Sequence, residues 1–472
     1  MRITPIRLLA LFVGTMGLAL NAGAQTVTIL HTFSSSATNG YQSYARLVQG
    51  SDGNFYGTTE LGGSAGVGAV FRISPSGAYT NLYSFASTFT GDGWQPLAGL
   101  VQGSDGNFYG TTSAEGTNSC QCGNVFRISP SGSYATLHYF SALTTDGGTP
   151  RGTLVQGSDG NFYGTATRGG SGTGGGGVVF RISPGGSYTN LYSFPGYSHD
   201  GYSPIGALVQ GSDGNFYGTT GSGGTNSYGT VFRISPSGSY TNLHSFAGGY
   251  YYGNNEGRNP QAPLVQGSDD NFYGTTTGGG GTANGAGTVF RIGPSGSYTT
   301  LYSFSNSPPD GAQPEAGLVL GSDGNFYGTT YGGGTNTCGC GTLFRISPSG
   351  QYKTLYSFSA LGTGEPEAGL VQGSDGNFYG TTLGLVFKMA ASLPSPANQM
   401  NSVSVAGTNV AIAVSSVAGE TYQLQYATDL TSGNWSNVPG VSVTNSPGGS
   451  LTVTNLGGAI SPGRYYRMVI TP

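Results

Sequence analysis

The chain has 472 residues with 16 basic and 20 acidic side chains, a formal net charge of -4, so it has no basic face for nucleic acid and no polybasic membrane patch. Its 88 glycines and 23 prolines would suit a low-complexity chain, but the glycines recur at fixed positions, and 31 Tyr with 23 Phe supply a core, which excludes disorder. The length allows one large domain and one small one.

Residues 1–24 read as a signal peptide. Arg2 and Arg7 precede an apolar run from Leu8 to Leu20, and Ala22-Gly23-Ala24 has the small-x-small form of a cleavage site before Gln25. The run is shorter than the ~20 apolar residues of a membrane anchor. No cysteine near the cleavage site accepts lipid, and the ending YYRMVITP has neither an apolar tail nor a basic stop signal. The expectation is a secreted or periplasmic protein, monomeric, with no membrane insertion after cleavage.

The segment GSDGNFYG then starts at Gly50, Gly103, Gly157, Gly211, Gly321 and Gly373, with the variant GSDDNFYG at Gly267. The seven copies are spaced by 53, 54, 54, 56, 54 and 52 residues, a period that points to a propeller or a solenoid. Within one unit, GLVQ, NFYGTT, NVFRIS and SYATLHYF are short runs rich in Val, Phe, Tyr, Thr and Ile, separated by the turn sequences SDG and PSG. Four antiparallel strands per unit make a propeller blade. The phase decides between ring and solenoid. TVTILHTF at 26–33 matches the fourth strand of a unit but has no first three strands before it, while the seventh unit ends after GLVFKM. The two ends therefore complete one blade between them, which removes open sheet edges. Pairing of 26–33 with 385–389 is expected, with Val27, Ile29, Leu30 and Phe33 as candidates for burial.

The unit LVQGSDGNFYGTT…GTVFRISPSGSYTNLYSF resembles the bacterial GloVer (Gloeo/Verruco) tandem repeat, and is more distantly similar to NHL-type propellers. The resemblance covers residues 26–389. It implies export and a repeat array, and brings no activity or catalytic residues. Members often end in a sorting anchor, from which this chain departs. After a linker at 391–400, the alternating strands of 401–472, with TYQLQYATDLTSGNW and RYYRMVI, resemble a small fibronectin type III or immunoglobulin-like β-sandwich. The fold expected is all-β: a seven-bladed propeller at 25–390, closed by an N-terminal strand, then a small sandwich.

Chemistry is sparse. His31, His138 and His244 occupy a position that is tyrosine in the other fourth strands and read as packing substitutions. His199 lies outside the repeat with no serine or cysteine motif, so a hydrolase triad has no support. The turn aspartates Asp52, Asp105, Asp159, Asp213, Asp269, Asp323 and Asp375 resemble the Asp-box of sialidase-like propellers, where the role is structural; an Asp there bonds its own backbone two residues on, with calcium as the lesser alternative. Seven cations, Arg72, Arg127, Arg181, Arg233, Arg291, Arg345 and Lys388, follow the Phe of strand three, and each is expected within about 4 Å of its own blade's aspartate. Cys120 and Cys122, like Cys338 and Cys340, fall 15 residues after their aspartates in equivalent loops. A disulfide inside each pair is favoured over free thiols or a shared four-cysteine zinc site. Glycine clusters such as 169–177 lack the grammar of a phosphate loop. No cofactor and no metal is expected.

Loops joining strand four to strand one, and strand two to strand three, are long and emerge on one face, where function concentrates. The four-to-one loops repeat D-G-x-x-P at Asp92, Asp146, Asp200 and Asp310, with Asn39 and Glu256 in the same place, and Tyr41, Trp94 or Tyr202 after the glycine. Aromatics beside carboxylates suit sugar rings, and Tyr41, Asp92, Trp94, Asp200 and Tyr202 are the candidate ligand-binding residues; packing between blades is the alternative. The leading expectation is a non-enzymatic extracellular platform for a glycan or a surface protein. The rival is a lyase or glycosidase using Asp92, Asp200 or Glu256, which needs two acids roughly 5–10 Å apart.

Overall fold

The computed structural model describes residues 27–34, 39–86, 91–114, 122–141, 145–171, 174–196, 200–248, 255–281, 285–359 and 364–390, and the backbone of six strands between 400 and 471. The segment 1–24 expected to be a signal peptide, His199 and Cys120 lie outside the described residues. The chain divides into two compact units, Ala24–Ala391 and one containing Ser392–Pro472. No helix among the described residues is long and apolar enough to cross a membrane.

The first unit consists of seven four-stranded antiparallel sheets. In blade 2 the order is Val101–Gln102, Phe108–Thr112, Asn124–Ile128, Tyr134–Tyr139, and the other blades repeat it. First strands line the axis and fourth strands lie outermost. In blade 7 the fourth position is taken by Val27–Thr32, antiparallel to Leu385–Met389 in the register Val27↔Met389 to Thr32↔Leu385, so the expected closure is present. Burial along this strand differs from expectation. Phe33 is buried, Val27 and Leu30 are half-buried, and Ile29 is 48% exposed. A bulge between Ile29 and His31 breaks the alternation. Every described fourth strand carries the same bulge, and except at Leu355 the next blade's three-to-four turn glycine packs on the bulged leucine. A Cβ at Gly77 would stand 2.8 Å from the Leu30 carbonyl oxygen, and one at Gly132 2.6 Å from that of Leu82.

The GSDGNFYG motif builds the short-turn face. Asp52 Oδ1 accepts from the Asn54 N–H at 3.1 Å, and Oδ2 accepts from Asn54 Nδ2 and the Tyr56 hydroxyl, both at 2.8 Å; the same set recurs in all seven blades. Gly53 takes a left-handed φ of 81°, which glycine adopts without strain. Gly57 is required by close approach, since a Cβ there would lie 2.6 Å from the Phe71 ring and 2.8 Å from Leu47. Each tyrosine ring stacks on the next blade's phenylalanine, from Tyr56–Phe108 through to Tyr379–Phe55, with centroids 3.9–4.1 Å apart. This closed circle of pairs contributes about 0.5–1.5 kcal/mol each beyond area burial.

The expected ion pairs do not form. No Asp–Arg contact of this set, nor Asp375–Lys388, closes to 4 Å. The register sets Arg72 opposite Tyr56, so the guanidinium lies beside the tyrosine hydroxyl and the hydroxyl stands between the charges. Burial raises the Asp52 pKa, but the hydrogen bonds from Asn54 and Tyr56 outweigh it and hold the carboxyl below its ordinary value, with Arg72 a minor contributor. A carboxylate with a depressed folded pKa stabilises the fold above its unfolded pKa, and this is lost as pH falls.

In the second unit, Met400–Ala406, Asn409–Ser416 and Gly449–Asn455 form one three-stranded antiparallel sheet, and Ser436–Thr444, Thr421–Ala427 and Tyr465–Thr471 another. The two segments singled out in sequence pair directly, from Thr421↔Thr471 to Ala427↔Tyr465.

Two outcomes follow for chemical denaturation of the purified protein. Phe33→Ala should cost about 3–5 kcal/mol, whereas Ile29→Ala stays within about 0.5 kcal/mol. Asp105→Ala should cost about 1–3 kcal/mol by leaving Asn107 and Tyr109 donors unmatched, whereas Arg127→Gln costs under about 1 kcal/mol.

Candidate functional site

The loop carboxylates expected to face a ligand are engaged within their own blades. Asp92 is buried, and its Oδ2 accepts from the Tyr83 hydroxyl at 2.7 Å and the Ala86 N–H at 3.0 Å. Asp200 accepts from Tyr192 at 2.7 Å. Where the tyrosine is replaced, His138 Nε2 faces Asp146 and His244 Nε2 faces Glu256, both at 3.4 Å. The histidines therefore keep a polar contact and also stack, His138 on Tyr188 and His244 on Tyr298. Burial pushes both imidazoles below their ordinary pKa despite the neighbouring acids. These acid latches lie in separate blades, which does not give the paired acids the lyase or glycosidase expectation required. Tyr41, Trp94 and Tyr202 are half-buried, and their backbones pair with the strand-two-to-three loop at Leu61, Ala114 and Ser222. The Cys338–Cys340 disulfide is formed at 2.05 Å, and Cys122 is also disulfide-bonded. Among the described residues no group of three or more His, Cys, Asp or Glu is placed to hold a metal.

The residue after each of these lies at a more informative place. Gln42, Gln95, Thr149, Ser203, Asn259, Gln313 and Glu365 all adopt a left-handed φ between 52° and 61°. Such a conformation costs a non-glycine residue roughly 1–2 kcal/mol and is held by its surroundings. Here the Gln95 N–H donates to the Val67 carbonyl and its own carbonyl accepts from Ser113; five other blades repeat the pattern, and the Glu365 N–H donates to the Cys340 carbonyl. All seven side chains are polar, although a glycine would fit each site without strain.

Two residues further on, each chain turns into the first strand and lines the central channel, a cavity of about 460 Å³. Alternate residues of the first strands form three tiers. The rim tier is Tyr44, Leu97, Arg151, Ile205, Gln261, Glu315 and Glu367; the waist is Arg46, Gly99, Thr153, Ala207, Pro263, Gly317 and Gly369. The lowest tier is valine in every blade, Val48, Val101, Val155, Val209, Val265, Val319 and Val371. Blades that are near copies elsewhere thus differ most at the rim.

Charge at the rim is segregated. Glu315, Glu365 and Glu367 come from blades 6 and 7, Glu60 follows strand two of blade 1, and Arg151 leads into blade 3. Glu60 Oε1 accepts from Gln95 Nε2 at 3.0 Å; its carboxyl is raised by burial and partly restored by Arg151 and Gln95. Burial, together with Glu315, Glu365 and Glu60, pushes the Glu367 carboxyl up to about 7. Tyr44 is pushed up to about 12 by burial and by Glu367 and Glu60. Sequence reading chose the residue after the glycine and so missed this rim. The signal was available in the seven repeats compared with each other: the second position after each left-handed residue varies in charge and size.

With this geometry in view, the pattern of the Gloeobacter/Verrucomicrobia repeat family matches residues 17–209, 90–256 and 207–438. The chain belongs to this family. No curated protein matches the sequence. Among solved structures, this repeat protein is similar to the extracellular domain of a B. thetaiotaomicron protein assigned as a one component system, at TM-score 0.48 and 13% identity, over 92% of this chain and 56% of that one. It therefore spans little more than half of that domain. It is also similar to a protein from Bacteroides uniformis assigned as a 6-phosphogluconolactonase, at TM-score 0.43 and 14% identity, over 85% of this chain and 100% of that one. A third, assigned as a gluconolactonase, gives TM-score 0.40 and 11% identity, over 79% and 94%.

A carboxyl whose folded pKa is raised binds more protons folded than unfolded, so it lowers stability as pH rises from the unfolded pKa through the folded one. Glu367→Gln should therefore leave the melting temperature unchanged at pH 4.5 and raise it relative to the parent protein above pH 7. Parallel melting curves for the two proteins over that range check it.

Proposed function

We propose that this repeat protein is an exported, non-enzymatic binding platform whose ligand, a glycan, is held at the long-loop end of the central channel. One observation carries the reading: the rim residues that vary from blade to blade converge on a single cavity of about 460 Å³, within the size range of small-ligand pockets. The rim offers acceptors at Glu315 and Glu367, an amide at Gln261 and an aromatic at Tyr44, which together suit hydroxyl donors and one apolar sugar face. A cavity of this volume takes a sugar or a chain end more readily than a protein surface. Tyr41, Trp94 and Tyr202 surround the loops outside the rim and would meet a longer glycan as it leaves the channel.

A glycan array with purified protein tests this, followed by titration of the best binder against Gln261→Ala, Tyr44→Ala and Trp94→Ala. The rim variants should weaken binding at least tenfold with unchanged melting temperature, and Trp94→Ala less. Full binding by the rim variants would remove the channel from the account.

A second reading, a carbohydrate-active enzyme, is favoured by one feature. The Glu367 carboxyl, near 7, sits beside Glu315, and a protonated carboxyl next to an ionised one is the pairing that acid–base cleavage of a glycosidic bond uses. Release of reducing ends from the bound glycan, abolished in Glu367→Gln, would favour this reading over the first.

A further inference from the structure

The waist of the channel holds a cation that no described residue pairs with. Six blades place small or uncharged residues there, Gly99, Thr153, Ala207, Pro263, Gly317 and Gly369, and these open the cavity. Blade 1 alone places an arginine, Arg46. Its side chain is open to the lumen and runs past blade 7, where a Cβ on Gly369 would touch Arg46 Cδ at 3.7 Å. Among the described residues its guanidinium makes no hydrogen bond and no ion pair. The rim acids lie one tier above, two residues along a strand or roughly 7 Å away. The seven blades around the channel push its pKa below the ordinary guanidinium value with no acid to offset it, while the side chain stays exposed to the lumen. No described group of the chain employs this charge, and scaffold needs do not explain it, since the other six blades close the ring without one.

We propose that Arg46 binds a carboxylate of the ligand, such as that of a uronic acid, inserted into the channel from the long-loop face. The inference rests on the channel as the ligand site and specifies its ligand class. A planar guanidinium fork matches a carboxylate in bidentate geometry. One cation balances one negative charge, and the acids of the rim oppose a dianion such as phosphate. The valine tier below closes the cup with apolar side chains and offers a doubly charged group no further donor. Sugar hydroxyls then fall at the level of Gln261, Glu315 and Glu367.

The test is calorimetric titration of the full-length mature protein with D-glucuronate, D-glucose and inorganic phosphate at neutral pH and low salt. D-glucuronate should bind at least tenfold more tightly than D-glucose or phosphate. Arg46→Gln should remove that preference, and Arg46→Lys should retain part of it, because the charge remains while the fork is lost. Melting temperatures of both variants should match the parent, since the side chain supports no other group. If D-glucose binds as well as D-glucuronate, with Gln261→Ala weakening both and Arg46→Gln neither, the carboxylate assignment falls while the channel stands. Phosphate binding more tightly than glucuronate would also overturn it. If no sugar binds and Gln261→Ala changes nothing, both fall.

Discussion

In each blade the second-strand tyrosine is held at both ends. Its hydroxyl donates to the aspartate of its own turn, at 2.7–2.8 Å in all seven copies, and its ring lies against the next blade's phenylalanine. A ring of blades can close only if each junction repeats the same rotation, and a short polar bond joined to a stacked pair sets that rotation with little freedom. A second tie runs along the same face: Ser51 N–H donates to Gln102 Oε1 at 2.8 Å, and Ser374 N–H to Gln49 Oε1 at 2.8 Å, so blade 7 is joined to blade 1 as any other pair is. At the junction of blades 5 and 6 the glutamine is replaced by Leu320 and this tie is lost, yet the Tyr273–Phe326 stack persists at 4.0 Å. The aromatic pair is therefore the more general of the two devices.

Because the short-turn face fixes the ring, the opposite end is released from that duty. Six of the left-handed residues are pinned by backbone bonds on both sides, and Glu365 by its N–H, so their backbones are held in place without side-chain packing. The rim tier follows two residues later and inherits the same precision. Stability and the proposed recognition thereby fall at opposite ends of the same short first strand, separated by the valine tier.

Much of the fold was legible because its signals are local. Turn chemistry, alternating strands and the phase of the first and last partial units are each contained in a few residues, and the phase alone gave the pairing of Val27–Thr32 with Leu385–Met389. What was misread depended on geometry between elements. Ile29 was a candidate for burial because both sides of a blade meet neighbours, and it is exposed beside the bulge before His31. Arg127 and Asp105 do reach the same face, but Tyr109 stands between them, and no spacing rule shows an intervening hydroxyl. Asp92 and Asp200 looked like ligand acceptors because their tyrosine partners lie eight or nine residues back across a tight corner. The rim itself carries no motif at all; it appears only as a position at which the repeats disagree, and Arg46 as the one charge in a tier of small residues.

The central claim is that the turn face carries stability and the channel tiers do not. A proteolysis-based stability scan of blade 4, covering every residue from 205 to 245, tests it in one measurement. Substitutions at Tyr217 and Phe232 should each cost more than about 2 kcal/mol and at Asp213 about 1–3 kcal/mol, while Ile205→Gln and Ala207→Ser stay within about 0.5 kcal/mol. Losses at Ile205 and Ala207 as large as those at Tyr217 would show that the channel wall is part of the scaffold, and would contradict the division proposed for this molecule.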